Sequence, residues 1–387
     1  MKLYLKKNEE QRIKSGHLWI FSNEIQKIDE PAESGDIVEV YSSRGDKLGY
    51  GFYNKSSLIA LRMLTALFTG DFSAYAKLML NKAGSLRKSL YSNRNSYRLC
   101  FSESDFMPGL IIDKYNSTFV LQVYCYGMNK NISVIADILK NDFDAKNIFT
   151  IHDSFFRKIE GLPDEDEVYF GSKDDEIIDD SKIKYKIDFT NSQKTGFYFD
   201  QCDNREYSEK FVQRKSVLDA FCNSGGFGMH AAIAGASSVD FVDSSENAIA
   251  NAEYNYKQNE LKADNNFIRS DVFDYLEKCK SSGKKYDVIM LDPPAFAKNK
   301  KSIPTALKGY EKLNAHAIEI INEGGYLITS SCSHHITETD FLDSIRRGAR
   351  KSGRNIQLLY MNGASLDHPR LPAMPETGYL KFAVFKI

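Results

Sequence analysis

Over residues 1–70 apolar and polar positions alternate in short runs, the two-residue period of strands with one buried face. The stretch SGDIVEVYSSRGDKLGYGFYNKSSLIALRML (34–64) alternates on both sides of Arg44-Gly45-Asp46, a hairpin turn signal. A small β-rich domain is expected there. The period changes at FSAYAKLMLNKAGSLRKSL (72–90), whose spacing predicts a helix. YRLCFSESDFMPGLIIDKYNSTFVLQVY (97–124) reads as strands about a Pro108-Gly109 turn. NISVIADILKNDF (131–143) reads as a helix and NIFTIHD (147–153) as a strand. The acidic, turn-rich LPDEDEVYFGSKDDEIIDDSK (162–182) is expected to be an exposed connector.

From about residue 215 the rhythm becomes apolar strand, loop, helix. Strands are predicted at SVLDAF (216–221), SVDFVD (238–243), NFIRSDVF (266–273, running into a loop), YDVIMLD (286–292) and GYLITSSCS (325–333). Helices are predicted at GMHAAIAG (228–235), NAIANAEYNYKQN (247–259), YEKLNAHAIEIINEG (310–324) and TETDFLDSIRRGARKSG (337–353). Such alternation implies an α/β, doubly wound, mostly parallel sheet with its ligand beyond the carboxyl ends of the strands. NIQLLYMN (355–362) and YLKFAVFKI (379–387) read as a closing edge hairpin. The division expected is a β-rich domain at 1–72, an α+β domain at 73–186 and a doubly wound domain at 187–387.

Composition changes this picture little. The 387 residues are 42% apolar and 27% charged with a net charge of −1, a globular balance with no whole-molecule field to draw in a polyanion. The charge is uneven. Residues 1–99 hold 16 Lys/Arg against 10 Asp/Glu, whereas 160–182 hold 2 against 10. Neither a long apolar run nor a signal-like N-terminus is visible, so no membrane association is expected. Six cysteines without a CxxC pair point to free thiols in a reducing cytoplasm and to no bound metal.

The chemistry gathers at four strand ends. After Asp219 and SVLDAF comes Phe221-Cys222-Asn223-Ser224-Gly225-Gly226, a Gly-rich turn that lets a ligand approach the backbone and the next helix N-terminus, or that is simply tight. Asp243, followed by Ser244, stands where an acid accepts from ribose hydroxyls, which suits NAD, FAD or S-adenosylmethionine equally. Asp271, followed by Val272, is either an adenine contact or a helix cap. LDPPAF (291–296) puts Asp292 before Pro293 and Pro294, which stiffen the loop carrying Phe296. A carboxylate and a ring held against a flat acceptor favour adenosylmethionine chemistry over hydride transfer. Lys298, Lys300, Lys301, Lys308 and Lys312 follow, as phosphate contacts or as a solubilising loop.

LITSSCSHHI (327–336) leaves Cys332 open to three readings: a buried filler, a metal ligand or a nucleophile. Metal binding with His334 and His335 is the weakest, because adjacent side chains diverge and no fourth ligand lies at motif spacing. His334 is a candidate for lowering the thiol pKa or capping the next helix. Cys222 is the rival nucleophile, better suited to a cofactor wall. DHPRLPAMP (367–375) reads as a loop or as a stiff flap beside an acceptor pocket. Arg346, Arg347, Arg350, Lys351 and Arg354 read as a solvated helix face.

Taken in order, GHLWIFSNEI, GDIVEVYSSRGDKLGYGFYN, DFMPGLIIDKY, RKIEGL, QKTGFYFDQCDNR, DAFCNSGGFG, LDPPAFAK, SCSHH, LDHP and PETGYLK resemble the RlmI-type large-subunit ribosomal RNA cytosine-5 methyltransferases over nearly the whole chain. Cys202 stands where that family usually has Arg. The resemblance implies an N-terminal PUA domain, a class I methyltransferase fold, S-adenosylmethionine as cofactor and an rRNA cytosine as acceptor. In that setting Cys332 is read as the thiolate that attacks C6 of a flipped cytosine. Asp292 would hold the base through its amine or N3, and Phe296 would stack on it. The expected cofactor contacts are Asp219, Phe221, Cys222, Asn223, Gly225, Gly226, Asp243, Ser244, Asp271, Val272 and Asp292. The expected substrate contacts are Pro293, Pro294, Phe296 and Lys298. RNA is the expected partner, and a homodimer stays open. The competing expectations are N-methylation of another RNA base, which needs no thiol, and a non-catalytic RNA-binding assembly factor.

Overall fold

The computed structural model describes residues 1–190 and 195–387. Gln193 and Lys194 of the QKTGF stretch lie outside these residues. The chain forms two compact units. The first comprises Met1–Ile178, Ile187–Phe199 and Asp367–Thr377; the second comprises Asp179–Lys186, Asp200–Leu366 and Gly378–Ile387.

The first unit holds a six-stranded sheet built from residues 2–63 and a five-stranded sheet built from residues 97–170. In the six-stranded sheet, Ile37–Tyr41 and Lys47–Tyr53 pair antiparallel across the predicted turn, where Gly45 takes φ 86°. Helices Phe72–Leu90 and Ile132–Asp142 bury Tyr75, Met79, Leu80, Ile135 and Leu139 in the core of the five-stranded sheet. The acidic stretch is only partly a connector. Val168–Phe170 pairs with Asn147–Thr150 as a sheet edge, because alternation in VYF outweighs the flanking acids. The stretch 367–375, read as a loop or a stiff flap, belongs to this unit. The Asp367 carbonyl accepts from Arg87 Nη2 at 2.6 Å, and its Oδ2 accepts from the Arg98 backbone N–H at 2.9 Å.

The second unit is one seven-stranded sheet with helices. After a short helix Cys202–Ser208, the strands and helices of this sheet in chain order are β1 (Ser216–Ala220), α1 (Gly226–Ile233), β2 (Ser238–Asp243), α2 (Glu246–Gln258), β3 (Asp264–Arg269), α3 (Val272–Ser282), β4 (Tyr286–Leu291), α4 (Ile303–Glu319), β5 (Ile321–Ser331), α5 (Glu338–Ser352), β6 (Gln357–Asn362) and β7 (Lys381–Lys386). The order across the sheet is β3-β2-β1-β4-β5-β7-β6. The first five strands are parallel, and β7 runs antiparallel between β5 and β6. The closing strands pair antiparallel at the sheet edge as expected, with β6 outermost and β7 between it and β5. Val217, Leu218, Val288, Ile289, Leu327 and Ile328 are buried, as parallel strands covered on both faces require. Helix α3 is absent from the expectation, and α4 begins seven residues before the predicted start, with Pro304 in its first turn. Among the described residues no helix is long and apolar enough to cross a membrane.

Candidate active site

The first turn, between β1 and α1, is strained. Phe221, Asn223 and Gly225 all have positive φ, at 62°, 47° and 84°, which is costly for the two non-glycine residues. Two hydrogen bonds hold it. The Asn223 N–H donates to Asp243 Oδ2 at 3.0 Å, and the Gly228 N–H donates to Asp219 Oδ2 at 2.7 Å. Asp219 is buried, so its carboxyl pKa rises to about 7. Burial is the main cause, and the charges of Asp292 and Asp243 add to it. Gly226 is not open to a ligand on its Cβ side, because a Cβ there would lie 2.5 Å from Arg205 Nε. The buried Arg205 side chain occupies the space on that side of Gly226. A Cβ on Gly228 would lie 2.2 Å from the Phe241 ring, so that glycine serves helix–sheet packing. Cys222 is buried as well. Burial first, then the charges of Asp219 and Asp243, hold its thiol well above the ordinary range.

Asp243 ends β2 half-exposed, and its Oδ1 accepts from the Ser245 N–H at 2.9 Å. Each of its oxygens keeps a further lone pair for hydroxyl donors. Ser244 beside it is exposed. Asp271 lies beyond the end of β3 as the N-cap of α3, accepting through Oδ1 from the N–H groups of Phe273 and Asp274. Val272 is buried beneath it.

The turns after β4 and β5 meet. Cys332 Sγ lies 3.8 Å from the Pro293 carbonyl oxygen. Asp292 is half-exposed, and its Oδ1 accepts from Gln201 Nε2 at 2.8 Å; the same amide reaches Ser330 Oγ at 3.1 Å. The buried Gln201 thus ties the end of β4 to that of β5. Cys332 is the one free cysteine of the six that is not buried. Its neighbours explain why. Ser331 and Ser333 are fully buried and both reach the Tyr310 hydroxyl on α4, at 2.9 and 3.0 Å. Ser333 Oγ also accepts from the Ala297 N–H at 3.2 Å, pinning the loop that carries Phe296. The hydroxyls anchor positions 331 and 333 inward and leave the thiol between them accessible. Phe296 is half-buried with one face against Tyr310, ring centroids 4.7 Å apart. Pro293 is buried, whereas Pro294 and Lys298 are exposed.

His334 does not cap the next helix. Thr337 does, accepting from the Asp340 N–H at 3.1 Å, and His334 stacks on Tyr379 with centroids 5.0 Å apart. Tyr379 donates to Asp200 Oδ2. The cations of α5 largely pair with acids, Arg346 with Asp343 and Lys351 with Glu311, as befits a solvated face. Cys202 is buried 3.9 Å from Arg205 Nη1. The structure thus brings Asp292, Pro293, Phe296 and Cys332 together, and Asp219, Cys222, Asn223, Gly225 and Asp243 around the first turn. Sequence reasoning missed Gln201, Arg205, Tyr310 and Lys381. Gln201, Arg205 and Lys381 lie inside the recognised stretches QKTGFYFDQCDNR and PETGYLK, which was the available signal.

Residues 3–66 match the family model described as a PUA-like domain, and residues 194–359 match that described as conserved hypothetical protein 95. The chain is 36% identical to the ribosomal RNA large subunit methyltransferase I of Aliivibrio fischeri, covering 98% of this chain and 97% of that one. It is 36% identical to the Aeromonas hydrophila protein of the same name, covering 99% and 98%. Among solved structures it resembles a methyltransferase complexed with SAH, with TM-score 0.86, 21% identity and full coverage of both chains. A SAM-dependent methyltransferase from Streptococcus mutans gives TM-score 0.84 at 20% identity, again over both full chains. Together with the strand order 3-2-1-4-5-7-6, these likenesses make the second unit a class I methyltransferase fold, and at this identity and coverage the chain belongs to the ribosomal RNA large subunit methyltransferase I family.

Proposed function

We propose that the protein is an S-adenosylmethionine-dependent methyltransferase acting at C5 of a cytosine in large-subunit rRNA. The observation that carries this reading is the accessible Cys332 thiol beside the Asp292-Pro293 turn, with the other cysteines buried. Its relatives are named for methylation of that RNA. The proposed division of labour is RNA binding by a PUA-like part at 1–72, an α+β part at 73–186 and methyl transfer by 187–387, in a cytoplasmic protein.

The residues at the first turn fit the cofactor. The Asp243 carboxylate is half-exposed and able to accept from ribose hydroxyls, Ser244 and Asp271 stand at the neighbouring strand ends, and Phe221 and Cys222 offer an apolar wall. S-adenosylmethionine, when bound, would supply an electrophilic methyl group, the S–CH3 bonding pair staying on the donor sulfur as a neutral thioether leaves. C5 of cytosine is a poor nucleophile until a thiolate adds to C6. The Cys332 Sγ–C6 bond forms, the ring π electrons move toward C5, and C5 takes the methyl group. Loss of the C5 proton to a base or water returns the electrons, breaks the S–C6 bond and restores the thiolate. Asp292, oriented by Gln201, accepts from the cytosine amine and holds the ring for attack. Phe296 stacks on the flipped base, worth about 1–3 kcal/mol. Pro293, Pro294 and Lys298 line the approach. Incubation with labelled donor and deproteinised large-subunit rRNA, followed by mass spectrometry, tests the reading. 5-Methylcytosine is expected; a methyl group on a ring nitrogen or an exocyclic amine overturns it.

A further inference from the structure

A thiolate needs a cause. Among the described residues, the titratable and charged groups around the Cys332 turn come from several elements. Asp292 extends from β4 and Tyr310 from α4. His334 follows Cys332 and stacks on Tyr379, which is bonded to Asp200, and Lys381 stands on β7. Asp292 opposes a second anion nearby. Burial, with Cys332 adding, keeps the Tyr310 phenol protonated. Lys381 differs from all of these. It is only 7% exposed, and it sits opposite Ser331 in the antiparallel β5–β7 register. Its Nζ donates to the Ser333 carbonyl at 2.6 Å and to the Tyr379 carbonyl at 2.8 Å. The first of these acceptors is the carbonyl one residue after Cys332, so the buried ammonium is held beside the turn that carries the thiol. A cation there favours an anion formed on that turn, in a region where water screens little.

We propose that Lys381 is the positioning residue of the Cys332 turn, its ammonium fixing the peptide after Cys332 and favouring the thiolate over the thiol. This rests on the reading of Cys332 as the nucleophile. Two features of the fold support it. The antiparallel β7 strand brings a C-terminal lysine beside the end of β5, and the same ammonium ties the Ser333 carbonyl to that of Tyr379, the residue on which His334 stacks.

Cys332 is the only non-buried cysteine, so iodoacetamide alkylation followed against pH reads its ionisation directly in the full chain. Cys332→Ser identifies the labelled site. In the native protein the alkylation midpoint is expected below the ordinary thiol value of about 8.5. Lys381→Met is expected to raise it by about one pH unit, slowing alkylation at pH 7 about tenfold, while Lys381→Arg keeps it low. Two results overturn the proposal. One is a folded Lys381→Met protein, judged by an unchanged thermal midpoint, with the native alkylation profile. The other, which needs no substitution should Lys381→Met fail to fold, is a native Cys332 midpoint at or above about 8.5. The functional reading stands or falls separately, on whether Cys332→Ala still transfers methyl groups, because alkylation requires neither RNA nor donor.

Discussion

The turns after β1 and β5 each carry a cysteine at a strand's carboxyl end, and the fold treats the two thiols in opposite ways. At the first turn Cys222 is buried between two carboxylates, so it stays a thiol and serves shape. At the second, buried serines flank Cys332 and take the inward positions, so the thiol between them stays accessible. The position after a strand does not distinguish a nucleophile from a filler. What the neighbours bury, and which charges they bring, does.

The comparison breaks most easily at Cys332. Cys332→Ala is expected to lower methyl transfer at least about a thousandfold without lowering thermal stability, measured by tritium incorporation and calorimetry. If activity survives, the two cysteines are equivalent and the covalent route is wrong. Asp292→Asn comes next, with a loss of about a hundredfold in kcat, since it keeps the Gln201 contact but not the charge. The first turn should answer to packing instead. Gly228→Ala forces a Cβ onto Phe241 and is expected to cost about 1–3 kcal/mol in urea unfolding.

Helix α1, which leaves the first turn, adds a pH test. Its buried His230 lies between Glu209 Oε1 at 2.7 Å and Asp180 Oδ2 at 2.9 Å. Burial pulls the His230 pKa down, but the bonds to Asp180 and Glu209 together raise it above the ordinary value of 6.5. Burial likewise opposes ionisation of Asp180, yet His230 brings its pKa down to about 2. The histidine's contribution is therefore complete below pH 6.5 and is lost as pH rises through the raised value. The Asp180 contribution is complete above its unfolded value of 3.8 and is lost as pH falls toward about 2. His230→Gln should flatten the alkaline limb of the melting-temperature profile; an unchanged limb would show that the pair carries no charge there. The smallest effect is expected from Cys222→Ala, at about 1 kcal/mol of stability with activity within a few-fold of native.

Much of this was legible in the chain. Parallel strands buried on both faces appear as unbroken apolar runs, so β1, β2, β4 and β5 stood out, and the chemistry was sought at their ends. Helix α3 was missed although Val272, Tyr275, Leu276 and Cys279 show helical spacing, because the charged residues between them masked it. The filled space at Gly226 could not be read, since Arg205 lies twenty-one residues away and reaches it only in the fold. For the same reason Gln201 and Lys381 were seen as parts of motifs, without their partners. Residues 367–375 were read as a loop or a stiff flap because prolines mark stiffness but not which core a segment joins.

That segment has a consequence in time. The fully buried guanidinium of Arg87 donates to the carbonyl of Asp367, 280 residues further along the chain. At roughly 5–20 residues per second, a ribosome delivers Asp367 about 15–60 s after Arg87. Through that interval the first unit can hold Asp105 against Arg87 but lacks the cover that residues 367–377 provide. Its final contacts therefore form only after nearly the whole length of the methyltransferase unit has been translated.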